Sequence, residues 1–218
     1  MITTRIIKAA SGKCEAHSII TVNDSSLGFE RQLAEIERQY AELKGTLSER
    51  MCPVFRRWFL SDAANQQALL PDMGECATSI VEQPPLNGTK IALWVWMIED
   101  AEPRRDPDGR YVVEAFGRTH IFEASRTRPD LDPRTAIHDM MTDTAVALEH
   151  RGGSLLKNSV RTWLFVRDID LDYAEVVRGR NDAFDEQGLT TSTRFIASTG
   201  IQGRQADRKA SVIYDSYS

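Results

Sequence analysis

The feature that most limits what this chain can fold into is that it states one structural plan twice. Thr3 to Val22 alternates loosely around Ser11-Gly12-Lys13, the pattern of two strands joined by a short turn. From Gly28 the period changes. Leu33, Ile36, Tyr40 and Leu43 recur at three and four, with Glu35, Glu37, Arg38 and Glu42 between them, which predicts an amphipathic helix with Gly45 at its C-cap. Val54 to Leu60 reads as a strand closed by Asp62. A polar linker from Ala63 to Glu75 follows, then a short strand around Ser79-Ile80-Val81, a turn at Pro84 to Gly88, and the very apolar strand Ile91 to Ile98. Trp94 and Trp96 share one face of that strand and read as core or subunit interface.

Glu99 to Arg110 combines two prolines, a glycine and a dense run of both charge signs, the composition of a linker. After it the plan repeats. Tyr111 to Phe116 and Thr119 to Ala124 flank Gly117 as a hairpin, and Asp132-Pro133 opens a helix carrying Ile137, Met141, Thr144 and Leu148 that ends at Gly152. Gly45 maps onto Gly152 at an offset of 107, and Arg56-Arg57-Trp58 onto Arg161-Thr162-Trp163 at 105. Thr78 maps onto Thr193 at 115, where Pro85 to Gly88 also meets Gly200 to Gly203. The jump places an extra segment between Asp168 and Thr191, where Tyr173, Val176, Val177 and Phe184 keep a helical period. The expected organisation is a first unit over residues 1–98, a linker over 99–110 and a second unit over 111–218.

Composition excludes several classes. The chain has 218 residues, with 27 Lys and Arg against 32 Asp and Glu, so no global basic footprint for nucleic acid or an anionic membrane exists. No apolar run approaches the roughly 20 residues that span a bilayer, and a cytoplasmic location is expected. Cys14, Cys52 and Cys76 are widely spaced and read as buried thiols, and the four histidines lack ligand spacing, so neither a metal nor another cofactor is expected.

The second copy ends in Thr193-Arg194-Phe195-Ile196-Ala197-Ser198-Thr199-Gly200-Ile201-Gln202-Gly203, an alternating run that carries one arginine and breaks into a glycine-bearing turn. A guanidinium among Phe, Ile and Ala asks for a carboxylate or phosphate, either on a ligand or within a structural ion pair. On the last strand, Ser211 to Tyr217, alternation puts Ser211, Ile213, Asp215 and Tyr217 on one face. Asp215 is the only carboxylate there: either a general acid or base, or an exposed residue at a fraying end.

The order of these motifs, from Val160-Arg161-Thr162-Trp163-Leu164-Phe165-Val166-Arg167-Asp168 through Tyr173, Arg180-Asn181 and Phe184 to the Arg194 turn, resembles the second half of the RidA/YjgF family. The form Arg-Phe-Ile-Ala-Ser-Thr-Gly-Ile-Gln-Gly is similar to the chorismatase branch of that superfamily. The resemblance implies an α+β fold of two tandem RidA-like (chorismate-mutase-like) units, each a mixed sheet covered by helices, assembled as a homotrimer. It implies a pocket in the second copy where Arg194 binds the carboxylate of a small metabolite, with Tyr173, Arg180, Ser198 and Thr199 as further substrate-binding residues and Asp215 as the catalytic group. The glutamate that the family carries on its last strand is missing. Arg161 and Trp163 have apparent counterparts in Arg56 and Trp58 of the copy without a site, which points to a scaffold role. Three functions follow: an enzyme of the Rid class that hydrolyses enamine or imine intermediates or acts on a carboxylate such as chorismate, a non-catalytic metabolite-binding protein, or a ribonuclease or translation inhibitor. The acidic charge and the lack of interleaved aromatic and basic residues argue against the third.

Overall fold

The computed structural model describes residues 1–74 and 76–218. Its elements run β1 (Ile2–Lys8), β2 (Cys14–Thr21), α1 (Phe29–Thr46), β3 (Met51–Leu60), α2 (Ala63–Gln66) with a 3-10 turn at Gln67–Leu69, β4 (Ala77–Glu82) and β5 (Ile91–Glu99). They continue as β6 (Arg104–Arg105), β7 (Tyr111–Ala115), β8 (Arg118–Arg126), α3 (Pro133–Glu149), α4 (Leu155–Asn158), β9 (Arg161–Val166), α5 (Ile169–Glu186), β10 (Ala197–Gln202) and β11 (Val212–Tyr217). The chain divides into two compact units, Met1–Phe122 and Glu123–Ser218. The expected linker at 99–110 holds β6 and the Asp106–Gly109 turn, and of the expected linker Ala63 to Glu75 only Glu75 lies outside the described residues.

The first sheet has the order β1-β2-β5-β3-β4, with β3 antiparallel to β5 and parallel to β4. Alternation gives it two faces. Ala16, Ser18, Ile20, Leu93, Val95 and Met97 form the fully buried one, under the α1 stripe of Leu33, Ile36, Tyr40 and Leu43 that the sequence pattern predicted. The other face carries His17, Phe55, Arg57, Trp94 and Trp96. His17 stacks on Trp94 and meets Trp96, and Arg57 sits over the rings of Phe55 and Trp94. Gly45 is not a cap: α1 runs on to Thr46 and closes when the Leu47 N–H donates to the Leu43 carbonyl, which needs no left-handed residue.

The second sheet has the order β10-β9-β11-β8-β7-β6. Read from its hairpin, β7-β8-β11-β9-β10 repeats β1-β2-β5-β3-β4 strand for strand, with β9 parallel to β10 and antiparallel to β11. The fold is therefore α+β in two tandem copies, as the repeated sequence pattern predicts. Asp132 caps α3 by accepting from the Arg134 and Thr135 N–H groups, with Pro133 in the first turn, and Gly152 beyond the helix takes the left-handed φ of 75°. The extra helix is α5, capped by Asp168. Its counterpart in the first copy is the four-residue α2, capped by Asp62.

Backbone register corrects the offsets read from sequence. Leu60 and Val166 each pair with the first residue of the last strand, Ile91 and Val212, so β3 maps onto β9 at 106. Arg57 then matches Trp163 and Phe55 matches Arg161, one residue away from the sequence alignment of the Arg and Trp pairs. Ala77 and Ala197 open the two parallel edge strands, an offset of 120, so Ser79 matches Thr199 and the counterpart of Arg194 is Gly74. The apparent repeat Pro85 to Gly88 against Gly200 to Gly203 dissolves too: the former is a turn after β4, while Gly200 to Gln202 lie inside β10. Short motifs slip easily by a residue, whereas a one-residue slip in the sheet would exchange its two faces.

In the second unit, α3 and α5 pack closely over Ile137, Met140, Met141, Val176 and Ala183. Arg134 pairs with Asp182 at 2.7 Å and His138 with Glu186 at 2.9 Å across the same contact. Gly179 makes the approach possible, since a Cβ there would collide with the Arg134 carbonyl oxygen and the Ile137 side chain. Gly179→Ala should cost about 1–3 kcal/mol through overpacking, although alanine favours helix. A thermal melt checks this: a variant as stable as the parent or more so would mean that the helices can separate freely.

Candidate functional site

A cavity of about 480 Å³ opens at the C-terminal end of α5, walled by Arg180, Asn181, Phe184 and Asp185 of that helix, by Leu189, Thr190 and Thr191 of the following loop, and by Arg194, Phe195, Ile196 and Ser198. Helix α5 supplies its wall because Arg180 and Phe184 are one turn apart, which places the Arg180 guanidinium over the Phe184 ring at 5.7 Å, held by the Asn181 Oδ1 at 2.9 Å. The loop begins where Gly188 turns left-handed at φ 74° and is pinned by the Thr193 hydroxyl, which donates to the Gly188 carbonyl at 2.7 Å.

Arg194 is not inside a strand, as the alternating run predicts; β10 starts three residues later and runs through Gly200. Gly200 accommodates the Tyr173 ring, 2.7 Å from where a Cβ would sit, so this glycine serves a close contact rather than a turn. Arg194 Nη1 donates to the carbonyls of Leu156 and Lys157 at 3.0 and 2.6 Å, and Nη2 to that of Ser159 at 2.9 Å. These are the open carbonyls at the end of α4, where a cation also complements the helix terminus. Three of the five guanidinium donors are spent on backbone, and two remain on the half-buried side chain that lines the cavity.

The structure thus brings together Arg180, Arg194 and Ser198 and separates the other expected site residues from them. Ser198 lines the cavity and accepts from the Thr162 hydroxyl at 2.9 Å. Tyr173 packs on Gly200 and is not part of the wall. Thr199 points to the opposite face of β10, where it accepts from Arg161 Nη2 at 2.9 Å. Asp215 is fully buried rather than fraying: it lies in β11 opposite Trp163 and accepts from the Ser125 N–H at 2.6 Å. Asp185, Thr190, Thr191 and Phe195 are cavity residues that sequence reasoning missed. The run of hydroxyls after Gly188 was the available signal, since a Thr-rich loop offers donors and acceptors without charge.

A second polar cluster is structural. Buried Glu123 accepts from Thr144 at 2.5 Å, Ser216 at 2.8 Å and Arg126 at 2.9 Å, tying β8 to α3 and β11. Burial, with Glu123 nearby, pushes the Tyr214 phenol well above its ordinary range, so it stays a neutral donor or acceptor beside Thr144. Cys14 and Cys52 are half-buried, and Cys76 is buried with its Sγ 2.9 Å from Arg56 Nε. Among the described residues no group of three His, Cys, Asp or Glu could hold a metal ion, and no helix is long and apolar enough to cross a membrane.

No family profile and no curated protein matches the chain. Solved structures do. A chorismatase aligns with 94% of this chain at a TM-score of 0.55 and 15% identity; the chain spans about half of it, 54%. Single-unit structures align with about half of this chain: a YjgF family member from Neisseria meningitidis (TM-score 0.41, 19% identity, 54% of this chain and 93% of that one) and a YjgF/YER057c/UK114 family member from Mycobacterium tuberculosis (0.38, 20%, 49% and 82%). At these identities the likeness is one of fold. The chain has an α+β fold in two tandem copies, as its repeated strand order shows, and shares that fold with the chorismatase over 94% of its length.

Because Arg194 holds three carbonyls, its loss should be felt without any ligand. Arg194→Ala should lower stability by about 2–4 kcal/mol, hydrogen bonds from charged donors contributing roughly 1.5–3 kcal/mol where buried, and Arg194→Lys should lose less. A ligand-free thermal melt in which Arg194→Ala matches the parent would remove the clamp from the account.

Proposed function

We propose that the second copy binds a small carboxylate metabolite in the cavity at the end of α5. The observation that supports this reading is the convergence of two guanidinium groups, Arg180 and Arg194, on one concave wall, each fixed by other contacts before a ligand arrives. Preorganised donors lose little entropy on binding, and a planar fork suits a carboxylate. Phe184, Phe195 and Ile196 give the ligand's body an apolar surface, and the Thr190, Thr191 and Ser198 hydroxyls can orient it.

The reactions to test first are those of the family resemblance: hydrolysis of an enamine or imine, and turnover of a cyclic carboxylate such as chorismate. Asp215 is the group proposed for proton transfer, yet its burial beside Ser125, away from the cavity wall, favours binding over turnover as the primary role. Asp185 is the carboxylate on the wall itself.

The assembly proposed is a homotrimer built through sheet faces. Trp96 is already 7% exposed within the chain, packed edge-on against Phe122, so Trp94 is the indole left to become buried, beside its strand neighbour Ile19, which is 50% exposed. Sedimentation giving a monomer at micromolar concentration would remove this part.

Calorimetric titration with a panel of 2-oxo and cyclic carboxylates tests the pocket. Arg180→Met keeps much of the side chain's volume over Phe184 and removes the charge, so it should weaken binding at least ~10-fold, in line with ~1.5–3 kcal/mol for a charge-assisted hydrogen bond, at an unchanged melting temperature. Equal affinity of parent and Arg180→Met, or no carboxylate bound below about 1 mM, would overturn the reading.

A further inference from the structure

The edge strand of the second sheet, β10, leaves a row of backbone groups open beside the cavity. It pairs on one side only, parallel to β9. The bonds at its two ends fix which residues face that partner. The Ala197 N–H donates to the Val160 carbonyl at 3.2 Å, and the Gly203 N–H donates to the Val166 carbonyl at 2.9 Å. Ala197, Thr199 and Ile201 therefore turn their N–H and C=O groups toward β9. Ser198, Gly200 and Gln202 alternate with them and turn theirs outward, where no strand pairs with them among the described residues. Ala197 and Gln202 are exposed and the four residues between them half-buried, so this edge can be reached. A free strand edge is a template for one more strand.

The edge leads into the cavity. Ser198 belongs to both, and β10 begins three residues beyond Arg194 and runs away from it. A strand added antiparallel to β10 therefore ends at the guanidinium groups of Arg180 and Arg194, and the group it delivers there is its C-terminal carboxylate. A strand added parallel would begin there, with an N-terminal ammonium that like charge repels. The two arginines against Asp185 leave the wall one net positive charge, the complement of a single carboxylate. Phe195, 78% exposed, and Ile196 offer apolar surface to the last side chain. We infer that the second copy takes the C-terminal end of an extended peptide, added to the outer edge of β10 with its terminal carboxylate in the cavity. The inference rests on the cavity reading, since the same guanidinium groups take the carboxylate, and it changes the molecule that carries this group from a free metabolite to a polypeptide end. Backbone bonds to Ser198, Gly200 and Gln202 give affinity that is independent of sequence, and the surface at Phe195 gives a preference for an apolar last residue.

The test is fluorescence anisotropy of the full-length protein with a dye-labelled hexapeptide of alternating threonine and valine that ends in leucine, as the free acid and as the C-terminal amide. About six residues, at about 3.3 Å each, cover Ser198 to Gln202 and leave the last one in the cavity. The free acid should bind saturably and at least ~10-fold tighter than the amide, as loss of one charge-assisted bond implies, and Arg180→Met should remove most of that difference. Gln202→Pro removes one outward N–H at an edge position where proline is tolerated. It should weaken the free acid about 3- to 10-fold and leave calorimetric pyruvate binding as in the parent. Methylating alternate peptide nitrogens should block binding in one phase of the alternation and not in the other, a result that needs no change to the protein. The inference is overturned if acid and amide bind equally, if both methylated phases bind equally, or if the acid does not bind below about 1 mM. Pyruvate bound through Arg180 with no peptide bound leaves the cavity reading standing and removes this one; neither ligand bound removes both.

Discussion

A parallel strand pair cannot be closed by a tight turn, and that constraint organises both halves of this molecule. The chain leaving β9 must travel back along the sheet before β10 can pair alongside, which takes a dozen or more residues and usually a helix. In the second copy α5 meets the requirement at full length. It begins at the Asp168 cap, crosses α3 where Gly179 leaves room, and delivers the chain to the Gly188 turn from which the cavity wall is built. The first copy meets the same requirement between β3 and β4 with α2 and a 3-10 turn. One topology, with two crossover lengths, gives the second copy a cavity wall from a full-length helix, while in the first copy the short α2 lends only Asn65 and Gln66 to a different cavity.

The repeated plan was legible because hydrophobic period is a property of whole elements. The stripe of α1, the Asp132-Pro133 start of α3, the apolar β5 and the added helix before Gly188 all exceed the length at which local noise matters, and all are where the pattern puts them. The side-chain site was less legible. Arg194 stands in a run that alternates like a strand, yet it lies outside β10 and its guanidinium holds the carbonyls at the end of α4, some 35 to 38 residues back in the chain. Gly200 reads as a turn and is instead the floor under Tyr173. Neither fact has a local signature, because each depends on a partner that only the tertiary fold brings near.

Asp215 makes the same point about charge. Near a chain end an aspartate reads as solvated, but β11 is an interior strand flanked by β9 and β8, and a residue there is enclosed whatever its distance from the terminus. Burying a carboxylate requires donors, and the Ser125 N–H at 2.6 Å is one. Glu123, four-sided by Thr144, Ser216, Arg126 and the Tyr214 region, follows the same rule on the helix-covered side of the sheet.

Comparing equivalent rows of the two sheets shows where the copies have parted chemically. Row for row, Trp94, Arg57 and Ser79 in the first sheet occupy the places of Asp215, Trp163 and Thr199 in the second. Each sheet stacks a guanidinium on an indole, Arg57 on Trp94 at 5.2 Å across the neighbouring strands β3 and β5, and Arg161 on Trp163 at 4.9 Å along the single strand β9. In the first copy the Arg57 Nε donates to the Ser79 hydroxyl at 3.4 Å. In the second the hydroxyl at the matching place, Thr199, is taken by Nη2 of an arginine set one row further along, and the Nε–H is left over. Guanidinium-on-indole stacking accounts for both arrangements as packing; in the second, the buried Arg161 Nε–H meets no acceptor among the described residues. That asymmetry adds a difference in side-chain chemistry to the difference in crossover helix between the two copies.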